Sequence, residues 1–415
     1  MARPLRIGIY SPFFGSTYGG GEKYLCVTAE ALRDGFPEDR VELLSPLQPD
    51  VDRYQRVLGV DLSGIEILGF GVPGGGVGRR LRRIPGLRRY ADLYLSVRAA
   101  NRTRPYDLLL SMVYVMPAFS KARRGVILCQ FPSSDEVRYQ GLKGVLYRLY
   151  TLPYNILHDR LLGRQEHAFQ LVVAQSEYTR HWVDRYWHRD ALVVNPPIDV
   201  PDAEPSPEAK EPIVLSVGRF FAGGHNKRHD VMARAFRQLC DEGLSGWSLH
   251  LVGSLHTAPA DQRYFEEVKA LAEGYPIHIH ADASLEEVRD LYRRASIYWH
   301  AAGYGVDAER NPIQLEHFGM TTVEAMGQGV VPVAIARGGQ VEVIEDGVDG
   351  YLWREIEDLK QRTMTLVGDG AMRARMAEAA RRSSFRFSRD EFKRRMADAV
   401  RPLVEELQGE AVLRG

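Results

Sequence analysis

The stretch P-I-V-L-S-V-G-R-F-F-A-G-G-H-N-K-R-H-D, residues 212–230, passes from an apolar run through a basic, glycine-bearing loop into a helical pattern. Residues 212–218 read as a short buried strand and 230–240 as a helix, with a second strand at 248–253. Strand, crossover helix and strand make one α/β unit, since parallel strands cannot be joined by a tight turn. The alternation continues with helices at 264–272, 285–294 and 341–344 and strands at 276–280, 297–300, 330–335 and 350–353. A helical tail covers 356 to about 407.

Upstream, the same grammar appears once before. Residues 5–10 read as a strand, S-P-F-F-G-S-T-Y-G-G-G-E as a loop and 23–33 as a helix. Further strands fall at 41–44, 108–111, 126–129 and 171–174. Between the two series, 196–212 holds six prolines and few apolar residues, the composition of a linker. The expected fold is therefore α/β: two doubly wound Rossmann-like domains facing across a cleft, with ligands at strand C-termini.

Bulk properties agree. A chain of 415 residues exceeds one ordinary domain, and 45% hydrophobic with 26% charged residues suits a soluble globular protein. Net charge is +0, yet residues 1–200 carry 27 Lys/Arg against 20 Asp/Glu, so the first part is +7 and the remainder −7. The halves are expected to do different jobs. Three cysteines, Cys26, Cys129 and Cys240, have neither disulfide nor zinc spacing and suggest a reducing compartment. No apolar run reaches the ~18 residues of a membrane helix, and the N-terminus lacks a secretory h-region. A cytoplasmic protein is expected.

Chemistry concentrates in E-H-F-G-M-T-T-V-E-A-M-G-Q-G-V-V-P-V, residues 316–333. Glu316 and Glu324 flank a glycine turn and a helix start. Ionised carboxylates accept hydroxyls, and N–H groups at a helix start suit an anion. A sugar nucleotide offers both. The plainer reading is a capping box from Thr321 to Glu324, which needs no ligand. Gly218 and Arg219 follow a strand, while Lys227 and Arg228 sit near the next helix start, so the cations could clamp a diphosphate or form a solvated loop. Gly19, Gly20 and Gly21 open a helix and admit a phosphate, or make a plain turn. His300 ends an apolar strand, where packing or hydrogen bonding is the commoner fate. No histidine spacing suggests a metal site, and no G-x-S-x-G elbow occurs.

Residues 79–104 carry nine arginines against one acid, Asp92, with apolar residues at helical spacing. This suits an anionic membrane surface touched by Arg82, Arg83, Arg88 and Arg89; a helix with a solvated charged face is the alternative. Tyr139, Tyr147, Tyr150 and Tyr154 mix with Lys143, Arg148 and Arg160 farther on. No nucleic-acid motif accompanies the basic patch.

These motifs resemble the nucleotide-sugar glycosyltransferases of family 4, whose architecture is GT-B and whose signature is E-x7-E. The likeness takes in 18–22, Q-F-P-S at 130–133, N-P-P-I-D at 195–199, S-V-G-R at 216–219, L-V-G at 251–253 and A-R-G-G-Q-V-E-V-I-E-D-G-V-D-G-Y-L at 336–352. Within the family the chain is similar to the GDP-mannose-dependent mannosyltransferases that extend lipid-linked oligosaccharides. The resemblance implies that Glu324 holds ribose hydroxyls and Glu316 meets the donor sugar. It implies that backbone around Phe318, Gly319, Met320 and Thr321 contacts sugar and phosphate, and that Arg219 and Lys227 neutralise the diphosphate. Gly20 and Gly21 would approach the diphosphate, the region after Gly253 would seat the base, and Gln130 would lie on the acceptor side, where many members place histidine.

Family likeness further implies retention of configuration by front-face attack, with no metal and no cofactor beyond the nucleotide sugar. The expected domains are 1–200 for the acceptor, a linker at 201–212, 213–386 for the nucleotide sugar, and 387–415 as a helix crossing back. The expected function is transfer of a hexose, mannose by resemblance, from a nucleotide diphosphate to a glycan or lipid-linked acceptor at the cytoplasmic membrane face. A non-catalytic glycan- or lipid-binding scaffold, a UDP-sugar transferase with a soluble acceptor, and an epimerase or phosphorylase of similar fold are the competing readings. The segment 303–315 should line the cleft.

Overall fold

A computed structural model describes residues 3–12, 14–15, 19–45, 49–69, 88–114, 119–133, 145, 152–157, 160–161, 168–201 and 210–414. The chain forms two compact units. One comprises Met1–Gln175, Thr179–Val194 and Phe392–Gly415; the other comprises Ser176–Tyr178 and Asn195–Glu391.

The first unit is built on strands β1 (Arg6–Tyr10), β2 (Arg40–Ser45), β3 (Glu66–Gly69), β4 (Leu108–Tyr114), β5 (Arg124–Phe131), β6 (Leu171–Ala174) and β7 (Leu192–Val193). They form one parallel sheet in the order β3-β2-β1-β4-β5-β6-β7. Central strands such as β4 are buried nearly end to end, as expected for a parallel sheet covered on both faces. Helices α1 (Gly20–Gly35), α2 (Val51–Leu58), α3 (Arg88–Arg102) and α4 (Glu177–Trp187) follow in sequence. Strands β3 and β7 and helix α2 escape the sequence reading. For α2 a signal exists: Asp50 caps it, accepting from Arg53 N–H at 3.1 Å, and Gly59 ends it at φ 61°.

The second unit contains β8 (Ile213–Val217), α5 (His229–Asp241), β9 (Ser248–Gly253), α6 (Pro259–Ala272), β10 (Ile277–Ala281), α7 (Leu285–Arg294) and β11 (Ile297–His300). Then come α8 (Met320–Gly327), β12 (Val331–Ile335), α9 (Gln340–Val343), β13 (Tyr351–Trp353), α10 (Ile356–Gly368) and α11 (Gly370–Ser384). Its parallel sheet runs β10-β9-β8-β11-β12-β13. Relabelled from one, that is the order 3-2-1-4-5-6 of a dinucleotide-binding sheet, whose ligand crevice opens where the order reverses. The reversal lies between β8 and β11, so the ends at Val217 and His300 bracket the crevice.

The helical tail is not one helix. Asp369 caps α11, accepting from Met372 N–H at 2.8 Å, and a 3-10 turn at Phe385–Phe387 precedes α12 (Arg389–Arg414). Phe392, Met396, Val400, Val404 and Leu407 recur at helical spacing and join the core of the first unit. Phe392 meets Tyr24 of α1 edge-on at 5.2 Å. The unit boundaries fall at Val194 and Glu391, against 200 and 386 in the sequence reading. Ile198 explains the first: its N–H donates to Phe387 O at 3.0 Å and its carbonyl accepts from Arg389 N–H at 3.1 Å, both in the second unit. Most of the proposed linker lies outside the described residues.

Candidate active site

At the β8–β11 reversal three side chains that are far apart in sequence converge. Lys227 comes from the loop after β8, His300 ends β11, and Glu316 precedes α8. Lys227 Nζ and Glu316 Oε2 form a short ion pair, and His300 Nε2 lies 2.9 Å from the same Oε2. His300 is 2% exposed. Burial alone would raise the Glu316 carboxyl, but Lys227 and His300 override it and hold the group well below its usual value. Burial pushes the His300 imidazole down, against a smaller upward pull from Glu316. An ionised carboxylate can only accept, so chemistry assigns the proton to Nε2 of a neutral His300.

Glycines make this convergence possible. A Cβ on Gly218 would sit 2.4 Å from Lys227 Cγ, and one on Gly253 would sit 1.9 Å from Gly218 O. The ends of β8 and β9 therefore approach closer than any side chain permits. Behind Glu316, Gly339 N–H donates to Glu316 O at 2.7 Å, and a Cβ on Gly338 (φ 59°) would lie 2.2 Å from that same carbonyl oxygen.

Gly319, at φ 107°, turns the chain into α8. Phe318 is buried beside it. The N–H groups of Thr322 and Val323 bond back to Gly319 O at 3.0 and 3.2 Å. Those of Met320 and Thr321 lie in the first turn, where a helix provides no acceptor of its own. The capping box of the plainer reading does not form. Gly319 takes the cap position, so Thr321 is already inside the helix and Glu324 is too far along to reach back. Instead Thr321 Oγ1 accepts from Tyr298 O–H at 2.8 Å, and Glu324 accepts from Tyr292 O–H at 3.2 Å.

Arg219 is exposed, with its guanidinium 5.5 Å from the Phe221 ring centroid. Of the two cations expected to clamp a diphosphate, only Arg219 extends without an acidic partner among the described residues; the charge of Lys227 is committed to Glu316. His225 lies close enough to feel both: burial lowers it to about 4, Glu316 opposes, and Lys227 and Arg219 assist. His225 also meets His317 edge-on at 4.5 Å. Arg228, at φ 59°, holds Asp230 with two bonds of 3.1 and 3.2 Å and donates to Tyr304 O at 2.6 Å. That last bond ties the β8–α5 loop to the 303–315 segment. A cavity of about 320 Å³ lies between them, lined by His225, Asn226, Arg228, Asp230, Tyr264 and Gln314 among others. His225, His317, Tyr292 and Tyr298 escape sequence reading, because isolated histidines and tyrosines in apolar elements carry no spacing signal.

In the first unit, Gly20 begins α1 and Glu22 reaches back to accept from Gly19 N–H at 2.9 Å. A Cβ on Gly21 would lie 3.1 Å from Gln130 Nε2, so these two expected site residues are neighbours. The carbonyl of Gln130 accepts from Gln175 Nε2 at 2.7 Å. Arg82 and Arg83, and the side chains of Arg88 and Arg89, lie outside the described residues, as do Tyr139, Tyr147, Tyr150, Lys143 and Arg148. Among the described residues no group of three His, Cys, Asp or Glu is arranged to hold a metal ion, and no helix is long and apolar enough to cross a membrane.

Residues 201–383 match the family model of Glycosyl transferases group 1. The chain is 24% identical over 257 residues to a GDP-Man:Man(3)GlcNAc(2)-PP-Dol alpha-1,2-mannosyltransferase of Dictyostelium discoideum, covering 57% of this chain and 48% of that one. It is 24% identical over 330 residues to the Alpha-1,3/1,6-mannosyltransferase alg-2 of Neurospora crassa, covering 69% and 66%. The chain spans about half the length of the first of these relatives. In fold it is similar to a glycosyltransferase from Rickettsia africae, with a TM-score of 0.64 at 16% identity over 97% of this chain and 99% of the other. The fold is GT-B.

Proposed function

We propose, from the premise that this chain carries a Glycosyl transferases group 1 domain on a GT-B fold, that it moves a hexose from a nucleotide diphosphate to a glycan acceptor. The observation that supports this most is the meeting of Lys227, His300 and Glu316 at the β8–β11 reversal, beside the start of α8. The first N–H groups of α8 offer donors to a phosphate, and Arg219 adds a charge without an acidic partner among the described residues. Glu324, on the first turns of α8, suits ribose hydroxyls, and Glu316 suits hydroxyls of the transferred sugar.

In the proposed reaction the acceptor hydroxyl oxygen bonds to the sugar's anomeric carbon while the bond to the diphosphate oxygen breaks. The departing diphosphate takes the acceptor's proton, and configuration is retained. Arg219 and the helix start then stabilise the leaving group, so no metal is required. GDP-mannose as donor and a lipid-linked oligosaccharide as acceptor follow from the likeness to the mannosyltransferases above. Contact with an anionic membrane at its cytoplasmic face is supported by a run of exposed apolar side chains. Val145, Leu152, Ile156, Leu157 and Leu161 are each 38–54% exposed, and Arg160 lies among them.

The test is a thermal-shift screen with GDP-mannose, GDP, UDP-glucose, UDP and ADP, on the natural chain and on Glu324→Ala. Ligand that binds the folded state raises Tm by mass action. A guanosine series that stands out, with its shift reduced in the variant, supports the reading. A shift from UDP compounds alone would move the donor to a uridine sugar, and no shift from any compound would refute the donor site.

A further inference from the structure

We infer that His300 is a positioning residue that presets the carboxylate of Glu316, saturating one oxygen so that the other is left for the sugar. The inference rests on the transferase reading for its ligand, but its geometry stands within the second unit alone. Among the described residues, both hydrogen-bonding contacts to the Glu316 carboxylate fall on one atom. Lys227 Nζ and His300 Nε2 share Oε2, whereas Oε1 bonds to no described residue and is not among the sealed polar atoms. The Glu316 side chain keeps 15% of its surface exposed. With its backbone carbonyl pinned by Gly339 and Oε2 held from two directions, the carboxylate plane is fixed. Oε1 is left as an acceptor with lone pairs for a hydroxyl and none of its own protons to give.

Packing alone does not explain a histidine here. Strand β11 reads I-Y-W-H and is buried throughout. Among the described residues His300 Nδ1 is buried without a partner, and so are both ring nitrogens of neighbouring His229. An unpaired buried polar atom costs free energy that an apolar residue of similar size would avoid. The compensating feature is the Nε2–H bond to an ionised carboxylate, the stronger class of hydrogen bond. Lys227 supplies charge to Glu316 through a flexible stem, whereas the imidazole at the end of a core strand supplies direction. Lys227 and His300 are thus not redundant: both favour the ionised carboxylate, and the ring in addition sets its orientation.

Two measurements decide it. With 15N-labelled histidine, long-range 1H–15N spectra report the tautomer of each ring, and His300 is identified by the signal lost in His300→Gln. The inference requires the Nε2–H tautomer and a shift of that signal in Glu316→Gln; an Nδ1–H tautomer overturns it. The second measurement titrates GDP-mannose and GDP calorimetrically into the natural chain, His300→Leu and His300→Gln. Glutamine keeps an N–H near the position of Nε2; leucine keeps only volume. His300→Leu should weaken GDP-mannose about tenfold, the worth of one hydrogen bond to a charged group, and leave GDP within about twofold. His300→Gln should stay close to the natural chain. Equal losses for GDP and GDP-mannose, or no rescue by glutamine, would mean that the ring only fills space. Should the natural chain bind neither nucleotide, the guanosine-sugar reading fails, and the tautomer alone decides the role of His300.

Discussion

Lys227→Met is the most informative single change. Both members of the Lys227–Glu316 pair are largely buried, 19% and 15% exposed at the side chain. Removing one partner of a buried pair costs roughly 3–5 kcal/mol because the other charge is left uncompensated. Here His300 still donates to Oε2, so the lower end applies, and we expect a loss of about 3 kcal/mol at pH 7. The pH dependence gives the sign. In the natural chain the folded carboxyl titrates well below its usual 4.5. Its stabilisation is therefore present above 4.5 and lost as pH falls through the lower, folded value. Without Lys227 the largest downward cause is gone, so the folded value rises and the variant loses less stability than the natural chain as pH falls. The gap between the two proteins should be widest near neutrality and close on acidification. Urea unfolding followed by tryptophan fluorescence at several pH values measures it, with the transition of each unit fitted separately. Glu316→Gln supplies the cycle: adding Lys227→Met to it should cost about 1 kcal/mol or less, since no buried charge remains. A pH-independent loss of the same size in both backgrounds would refute the ion pair as the cause.

Three further outcomes are expected. Gly253→Ala places a methyl group 1.9 Å from Gly218 O; the backbone must shift, and we expect about 3 kcal/mol of destabilisation or failure to accumulate folded protein, read by thermal melting. Phe392→Ala empties a 2% exposed site against Tyr24 and should cost about 3–5 kcal/mol in urea unfolding of the first unit, with the second unit unchanged. Leu152→Ser with Ile156→Ser should lower co-sedimentation with anionic vesicles, and Arg82, Arg83, Arg88 and Arg89 changed together to Ser should do so most visibly at low salt; unchanged binding in both would end the membrane reading.

Much of this protein is legible in the bare chain. Strands β6, β9 and β11 and helix α7 have the bounds that apolar runs and turn residues set, because those signals act over a few residues and the backbone answers locally. The Glu316–Glu324 spacing likewise marks a helix start without any tertiary knowledge. Where local rules competed, the fold decided. Thr321 and Glu324 satisfy a capping pattern, yet Gly319 can take a positive φ and so claims the cap two residues earlier. The charge of Glu316 was beyond the sequence altogether. Its ionisation depends on burial and on Lys227 and His300, which lie 89 and 16 residues away and meet it only because β8 and β11 are neighbours in the sheet. The apolar stripe of α12 is equally plain in sequence, but nothing in its spacing says that it packs with α1. Short-range sterics and periodicity wrote the elements; desolvation and long-range pairing, which exist only once the chain has closed on itself, set the chemistry of the site.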